Sequence, residues 1–153
     1  MNLTFQCVPF HQLDVFQLYK IMALRQEVFV VEQNCPYLDA DGKDLKGWHL
    51  TGLNSENQLI AYARLLPKGV SYPDYPSIGR IATSAKARGT GAGRALVQEA
   101  LIECNRLFEN EAVKIGAQLY LLKFYQSFGF ESIGEEYLED GIPHIEMIKP
   151  SLV

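Results

Sequence analysis

Residues 89 to 93 hold three glycines in five positions, within Arg88-Gly89-Thr90-Gly91-Ala92-Gly93. A backbone that dense in glycine brings its N–H groups close to a ligand with no Cβ in the way. At the start of a helix it adds the unpaired first-turn amides and the positive end of the helix dipole, so the segment predicts an anion site. Arg88 and Arg94 extend it with two guanidinium groups able to form charge-assisted hydrogen bonds.

The flanks place this turn between a strand and a helix. Ile78 to Thr83 reads as a strand, and Gly91 to Phe108 as an amphipathic helix. Gly93, Leu96, Val97, Ala100, Cys104, Leu107 and Phe108 line one helix face, with Arg94, Gln98, Asn105 and Glu109 opposite. Val113, Ile115 and Ala117 alternate as the next strand, so the unit needs a right-handed parallel crossover. Before it, Leu3 to Val8 reads as a strand and a helix begins at about His11. Leu18, Ile21, Met22, Arg25, Val28, Phe29 and Glu32 share one face of that helix. A second stripe of Phe16, Tyr19, Ala23 and Val30 predicts a helix clamped between layers, kinked or ended by the β-branched run at Val28 to Val31. Trp48 to Leu53 and Leu59 to Leu66 form a hairpin around Asn54-Ser55-Glu56-Asn57. Leu121, Phe124, Tyr125 and Phe128 mark a short helix that stops at Gly129. Phe130 to Leu138 and His144 to Lys149 are strands turned at Asp140-Gly141. The order β-α-β-β-β-α-β-α-β-β predicts one α/β domain over residues 1–153, a mixed, mostly antiparallel sheet with helices on both faces.

Composition narrows the partners. The 153 residues are 48% hydrophobic and 21% charged, with a net charge of −4, which argues against disorder and against a phosphate-backbone grip on nucleic acid. Three unevenly spaced cysteines suggest neither a disulfide framework nor a zinc site. No stretch approaches the roughly 18 apolar residues of a membrane span, and the N-terminus lacks signal-peptide features. The expectation is a cytoplasmic protein with no metal, no membrane partner and no nucleic acid; a homodimer is left open.

Which anion the turn holds divides three ways. A Walker loop requires Lys-Ser/Thr after its last glycine, and here Arg94-Ala95 follows Gly93. A dinucleotide site wants G-x-G-x-x-G and an acid closing the next strand, where this chain has G-x-G-x-G and Gln118. The pattern Arg/Gln-x-x-Gly-x-Gly/Ala, matched by Arg88, Gly91 and Gly93, resembles the pyrophosphate loop of the GCN5-related N-acetyltransferase (GNAT) superfamily. A glycine-rich helix start that holds nothing fits the same residues. The resemblance runs over nearly the whole chain. Gln118 to Phe130 is similar to the family's later motif, with Gln118 in place of its usual Asn. Arg25 to Gln33 and Glu139 to His144 resemble the ElaA-like branch.

That resemblance implies acetyl-coenzyme A as cosubstrate and direct acetyl transfer to a small-molecule or peptide amine. It gives the backbone of Ile81, Ala82 and Thr83 the pantetheine arm, an amide near Ile81 the thioester oxygen, and Arg88, Gly89, Thr90, Gly91, Ala92, Gly93 and Arg94 the pyrophosphate, with Gln118 a further cofactor contact. Tyr125 falls where the family carries the acid for the leaving thiolate; a phenol with a pKa near ~10 is protonated at neutral pH. The other reading is a helix-face aromatic like Phe124 and Phe128, and the motif position favours the acid. Arg25 and Glu32 interrupt an apolar face, which is costly unless they pair or meet something polar. Two readings stand: an acceptor pocket with Glu32 as base, or a structural ion pair between them. His144, at the start of a strand behind a turn, is placed to bind substrate or relay a proton; a lone histidine is more often simply a surface or satisfied core residue, and water is a further candidate base. Asp39-Ala40-Asp41-Gly42-Lys43-Asp44 lacks the closing glutamate of a calcium loop and reads as a solvated turn. The alternative to an enzyme is a non-catalytic acyl-coenzyme A binding or sensing module on the same fold; a scaffold without cofactor is the third reading.

Overall fold

The computed structural model describes residues 2–151; the domain's first residue and last two lie outside the described residues. Seven strands and three α-helices follow the predicted order. They are β1 (Thr4–Pro9), α1 (Val15–Arg25), β2 (Trp48–Leu53), β3 (Leu59–Leu66), β4 (Ser77–Thr83), α2 (Ala92–Leu107), β5 (Val113–Gln118), α3 (Leu122–Gln126), β6 (Glu131–Glu139) and β7 (Ile142–Lys149). One sheet runs β1-β2-β3-β4-β5-β7-β6, antiparallel except between β4 and β5.

Alternation along β3 sorts the layers. Ala61, Ala63 and Leu65 point to the main core under α2, with Leu96, Val97, Ala100 and Cys104. Tyr62 points to the other face and packs with Ile21, Leu24 and Val28 from α1 and the segment after it. The chain therefore has helices on both faces, with α3 on the α2 side through Tyr125.

The first helix departs from expectation at both ends. It starts at Val15 because Asp14 and Gln17 form a reciprocal capping box. Gln26–Glu32 continues it as a π-helix, where the β-branched run widens the coil without breaking it. The second apolar stripe is not clamped: Phe16 is 74% and Tyr19 77% exposed, since only one face of α1 meets the sheet.

The Asp39–Asp44 turn is also corrected. Asp39 and Asp44 are buried, because three arginines converge on the loop. Arg25 of α1 reaches Asp39 (2.8 Å) and Asp44 (2.7 Å). Arg64 of β3 reaches Asp41 (2.8 Å) and Asp44 (3.0 Å). Arg80 of β4 reaches Asp39 (2.8 Å) and Asp41 (3.3 Å). Burial alone would raise the Asp41 carboxyl, yet Arg64, the Lys43 N–H and Arg80 hold it down at about 2. His49 donates from Nε2 to the Asp44 carbonyl and accepts the Tyr62 hydroxyl at Nδ1, and burial keeps its pKa below the ordinary value.

Arg25 is 0% exposed, so its loss leaves two buried carboxylates short of a cation. Arg25→Met is expected to lower the unfolding free energy by about 3–5 kcal/mol, read from urea denaturation. A loss below about 1 kcal/mol would show that Arg64 and Arg80 carry the loop without it.

Candidate active site

The sheet opens in its middle. β4 and β5 pair only at Ser77 and Lys114 and diverge beyond that point, so alternate peptide groups along that edge of β4 face a gap. β4 also carries a bulge. Tyr62 pairs with Ala82 and Arg64 with Gly79, leaving Arg80 and Ile81 opposite Ala63. Arg80 sits at φ 50°, a conformation uncommon for a side-chain-bearing residue, and its guanidinium is held by Asp39 and Asp41. The bulge re-aims the peptide at Ile81 relative to a regular strand.

A cavity of about 1260 Å³ fills the gap. That exceeds the ~300–1,000 Å³ of a typical small-molecule pocket, leaving room for an extended cosubstrate and a second reactant. Its wall includes Ile81, Ala82, Thr83, Arg88, Gly89, Gly91, Ala92, Gly93, Gln118, Tyr125, Glu32 and His144. At one end Gly91 caps α2 in the left-handed region at φ 86°, with no side chain bonded to the first-turn amides. A Cβ at Gly93 would meet nothing within 4 Å, so that face of the turn is open.

Alternation separates the two sides of the gap. Tyr125 lies on the α2 side, buried among Phe124 and Phe130; burial, and then Tyr120, push its phenol pKa up, so it stays protonated. On the α1 side β5 presents Gly116 and Gln118, and Gln118 pairs with His144 of β7. In β6 the irregularity between Ile133 and Tyr137 brings Tyr137 opposite His144, their rings 5.7 Å apart. The Tyr137 and Tyr72 hydroxyls converge over Gly116, where a Cβ would lie 2.7 Å from the first and 3.5 Å from the second.

Several expected residues sit elsewhere. Arg25 is not on the cavity wall: the buried loop absorbs its guanidinium. It does not pair with Glu32 either, since Glu32 pairs with Arg88, which also donates to the Thr83 carbonyl at 3.0 Å. Glu32 is therefore at the glycine-turn end of the cavity. Arg94 is not on the wall; it bonds the Ser127 hydroxyl at 2.8 Å and lies over the Phe128 ring. Thr90 donates to the Ala87 carbonyl and holds the turn from inside. Tyr72, Tyr137, Gly116 and Glu146 line the cavity and were missed. Strand alternation could have found Tyr137 and Glu146; Tyr72 sits in an aperiodic loop with no such signal.

A sheet parted between two parallel strands, with a glycine turn and helix N-terminus at its mouth, defines the acyl-coenzyme A N-acyltransferase fold. The chain matches the acetyltransferase (GNAT) domain model over residues 27–151 and belongs to that family. It is 46% identical to protein ElaA of Escherichia coli over 140 residues, 90% of each chain. It is 45% identical to a UPF0039 protein of Synechocystis over 148 residues, 97% of this chain and 96% of that one. The crystal structure of Escherichia coli ElaA superposes with a TM-score of 0.89 at 42% identity, covering 97% of this chain and 99% of the other. An acyl-CoA N-acyltransferase from Pseudomonas aeruginosa does so at 0.90 and 41%, with the same coverage.

The Glu32–Arg88 pair is solvent-accessible on both sides, so Glu32→Gln is expected to change stability by less than about 1 kcal/mol in urea denaturation. It should also tighten coenzyme A binding measured by calorimetry, because the carboxylate otherwise neutralises a guanidinium at the anion end. Weaker binding would show that Glu32 orients Arg88 for the ligand.

Proposed function

We propose that the protein is an acetyl-coenzyme A-dependent N-acetyltransferase that transfers the acetyl group directly to an amine. The observation that carries the reading is the parted β4–β5 edge joined to an uncapped, glycine-lined helix N-terminus. Together they offer a ladder of backbone groups for an amide-containing arm and a cluster of N–H donors for a pyrophosphate.

Each residue then has a task. The β4 edge from Ile81 to Thr83 bonds the arm, and the re-aimed Ile81 N–H faces the thioester oxygen as charge develops there. Gly89, Gly91, Ala92 and Gly93 supply the open backbone around the phosphates, with Arg88 adding charge once released from Glu32. Thr90 acts indirectly, by fixing the turn. Gln118 stands at the end of β5 beside the acetyl end. Tyr125 gives its proton to the leaving thiolate, a task that burial suits by keeping the phenol neutral. The acceptor approaches from the α1 side, past Tyr137 and His144.

The three cysteines are free, and no helix among the described residues is long and apolar enough to cross a membrane. Both features suit work in the cytoplasm, where thiols stay reduced.

Binding and catalysis are separable. Gly93→Val adds a branched side chain, larger than the alanine the pattern admits, in open space at an ordinary backbone conformation. It should change stability by less than about 1 kcal/mol, while weakening acetyl-coenzyme A in a thermal-shift titration. Unchanged affinity would remove the glycine turn from the binding site. Thiol release with a panel of amines distinguishes the enzyme from a binding-only module. In that assay Tyr125→Phe is expected to lower kcat by roughly 10²-fold with cofactor affinity kept; a wild-type rate would make Tyr125 a core aromatic only.

A further inference from the structure

An amine arrives at neutral pH as an ammonium ion, and Glu32, paired with Arg88 at the anion end, is not placed to take its proton. The α1 side of the gap holds a different pair. His144 is buried, with Nδ1 2.7 Å from the Ile142 carbonyl. A carbonyl only accepts, so Nδ1 carries the hydrogen and Nε2 keeps the lone pair. Nε2 lies 3.3 Å from an Oε of Glu139, and both residues line the cavity. Nε2 is thus the one ring atom left to accept a proton, and on doing so the ring bridges the Ile142 carbonyl and Glu139 without moving any atom.

We propose that His144, backed by Glu139, is the proton acceptor for the incoming ammonium group; this rests on the acetyl-transfer reading above. The ammonium proton passes to His144 Nε2 and leaves to solvent past the exposed Glu139 carboxylate. The freed nitrogen forms the bond to the thioester carbon, and the C–S bond breaks. The thiolate takes the Tyr125 proton, and the second nitrogen proton restores the phenol. The sum is one amide, one free thiol and one released proton.

The other groups around the ring fit this role. On β6 the Tyr137 ring lies against His144. Glu146 lies two residues along β7 on the same face, paired with Lys114 of β5 at 3.5 Å, so its charge is partly offset. Burial raises the Tyr72 and Tyr137 phenol pKa values, and Glu146 and Glu139 add to it; both stay neutral donors. Gln118 of β5, opposite His144, is uncharged. Asp140, in the turn, adds a further negative charge to the wall. Beside the ring the wall is acidic and aromatic, while its cations lie elsewhere: Lys43 bonds the Ser71 hydroxyl and Arg64, Arg80 and Arg88 are each paired with a carboxylate, an arrangement that suits a cationic amine.

His144→Asn tests the assignment, because the asparagine amide replaces Nδ1–H toward Ile142 while removing Nε2. Phenethylamine, an ammonium ion near neutral pH, and 2,2,2-trifluoroethylamine, uncharged there, are compared as acceptors. With phenethylamine the variant should lose about 10²-fold in kcat/KM at unchanged acetyl-coenzyme A affinity; with trifluoroethylamine most of that loss should vanish. Wild-type kcat/KM for phenethylamine should rise with pH along the titration of the His144 imidazole, followed by NMR and assigned by its absence in the variant. Glu139→Gln, at an exposed position, should lower kcat/KM with phenethylamine more than with trifluoroethylamine, and it carries the test should His144→Asn fail to fold. Equal losses with both amines, or a rate limb that persists unchanged in His144→Asn, would reduce His144 to a strut of the β6–β7 turn. A wild type that binds acetyl-coenzyme A yet releases no thiol with any member of the amine panel overturns the acetyl-transfer reading and this one with it. A normal wild type with an unimpaired variant overturns only the dyad.

Discussion

Three arginines and three aspartates, meeting beneath the face of the sheet that α1 covers, hold the site in shape. Arg25, Arg64 and Arg80 come from α1, β3 and β4; Asp39, Asp41 and Asp44 come from one loop. The loop connects α1 to β2 and has no ladder of its own to bind it. Its carboxylates lash it to three elements at once, and one of those ties falls on the residue that makes the β4 bulge. Without Asp39 and Asp41 the Arg80 guanidinium would lose the contacts that offset its left-handed backbone. The strand would then tend toward regular pairing with β3, and the Ile81 peptide would turn with it.

A packed apolar layer would cost less desolvation than six charges. It would not, however, specify direction. Each carboxylate here accepts from two arginines, and Asp39 also from the Tyr37 hydroxyl, so a shift in any one element breaks bonds in the others. The neutral His49 and the protonated Tyr62 close the network without adding charge. An ionic cluster of balanced sign thus trades stability for position, a reasonable exchange next to a gap that the sheet cannot itself brace.

How much of this is legible in the chain follows from the range of each interaction. The elements and their order are local, and periodicity carries them: Ala61-Tyr62-Ala63 alternates, and Leu96, Val97, Ala100 and Cys104 recur at helical spacing. The glycine turn is local too, which is why Gly91 and Gly93 are found where the residue pattern places them. Arg25 is different. Its charge on an apolar face announces a partner, but the partner lies 14 and 19 residues away in a loop whose composition equally suits solvent. Glu32 fails for the same reason: its partner, Arg88, lies 56 residues on. Tyr72 reaches Gly116 from an aperiodic loop, and nothing short of the folded sheet brings them together. Phe16 and Tyr19 err in the opposite direction, since an apolar stripe reports the capacity to be covered and not the presence of a cover.

The parted strands also keep the proposed acid and the proposed base apart. Adjacent side chains on a strand point to opposite faces, so a gap in a sheet is reached from both. Tyr125 meets it from the α2 side within the main core, where burial keeps the phenol protonated. His144 is on the α1 side, with Glu139 beside its Nε2. The two groups lie in different surroundings because the sheet is between them. On the acetyl-transfer reading the sheet is therefore more than a support for the site: by parting at one place it becomes the partition between the proposed proton donor and the proposed proton acceptor.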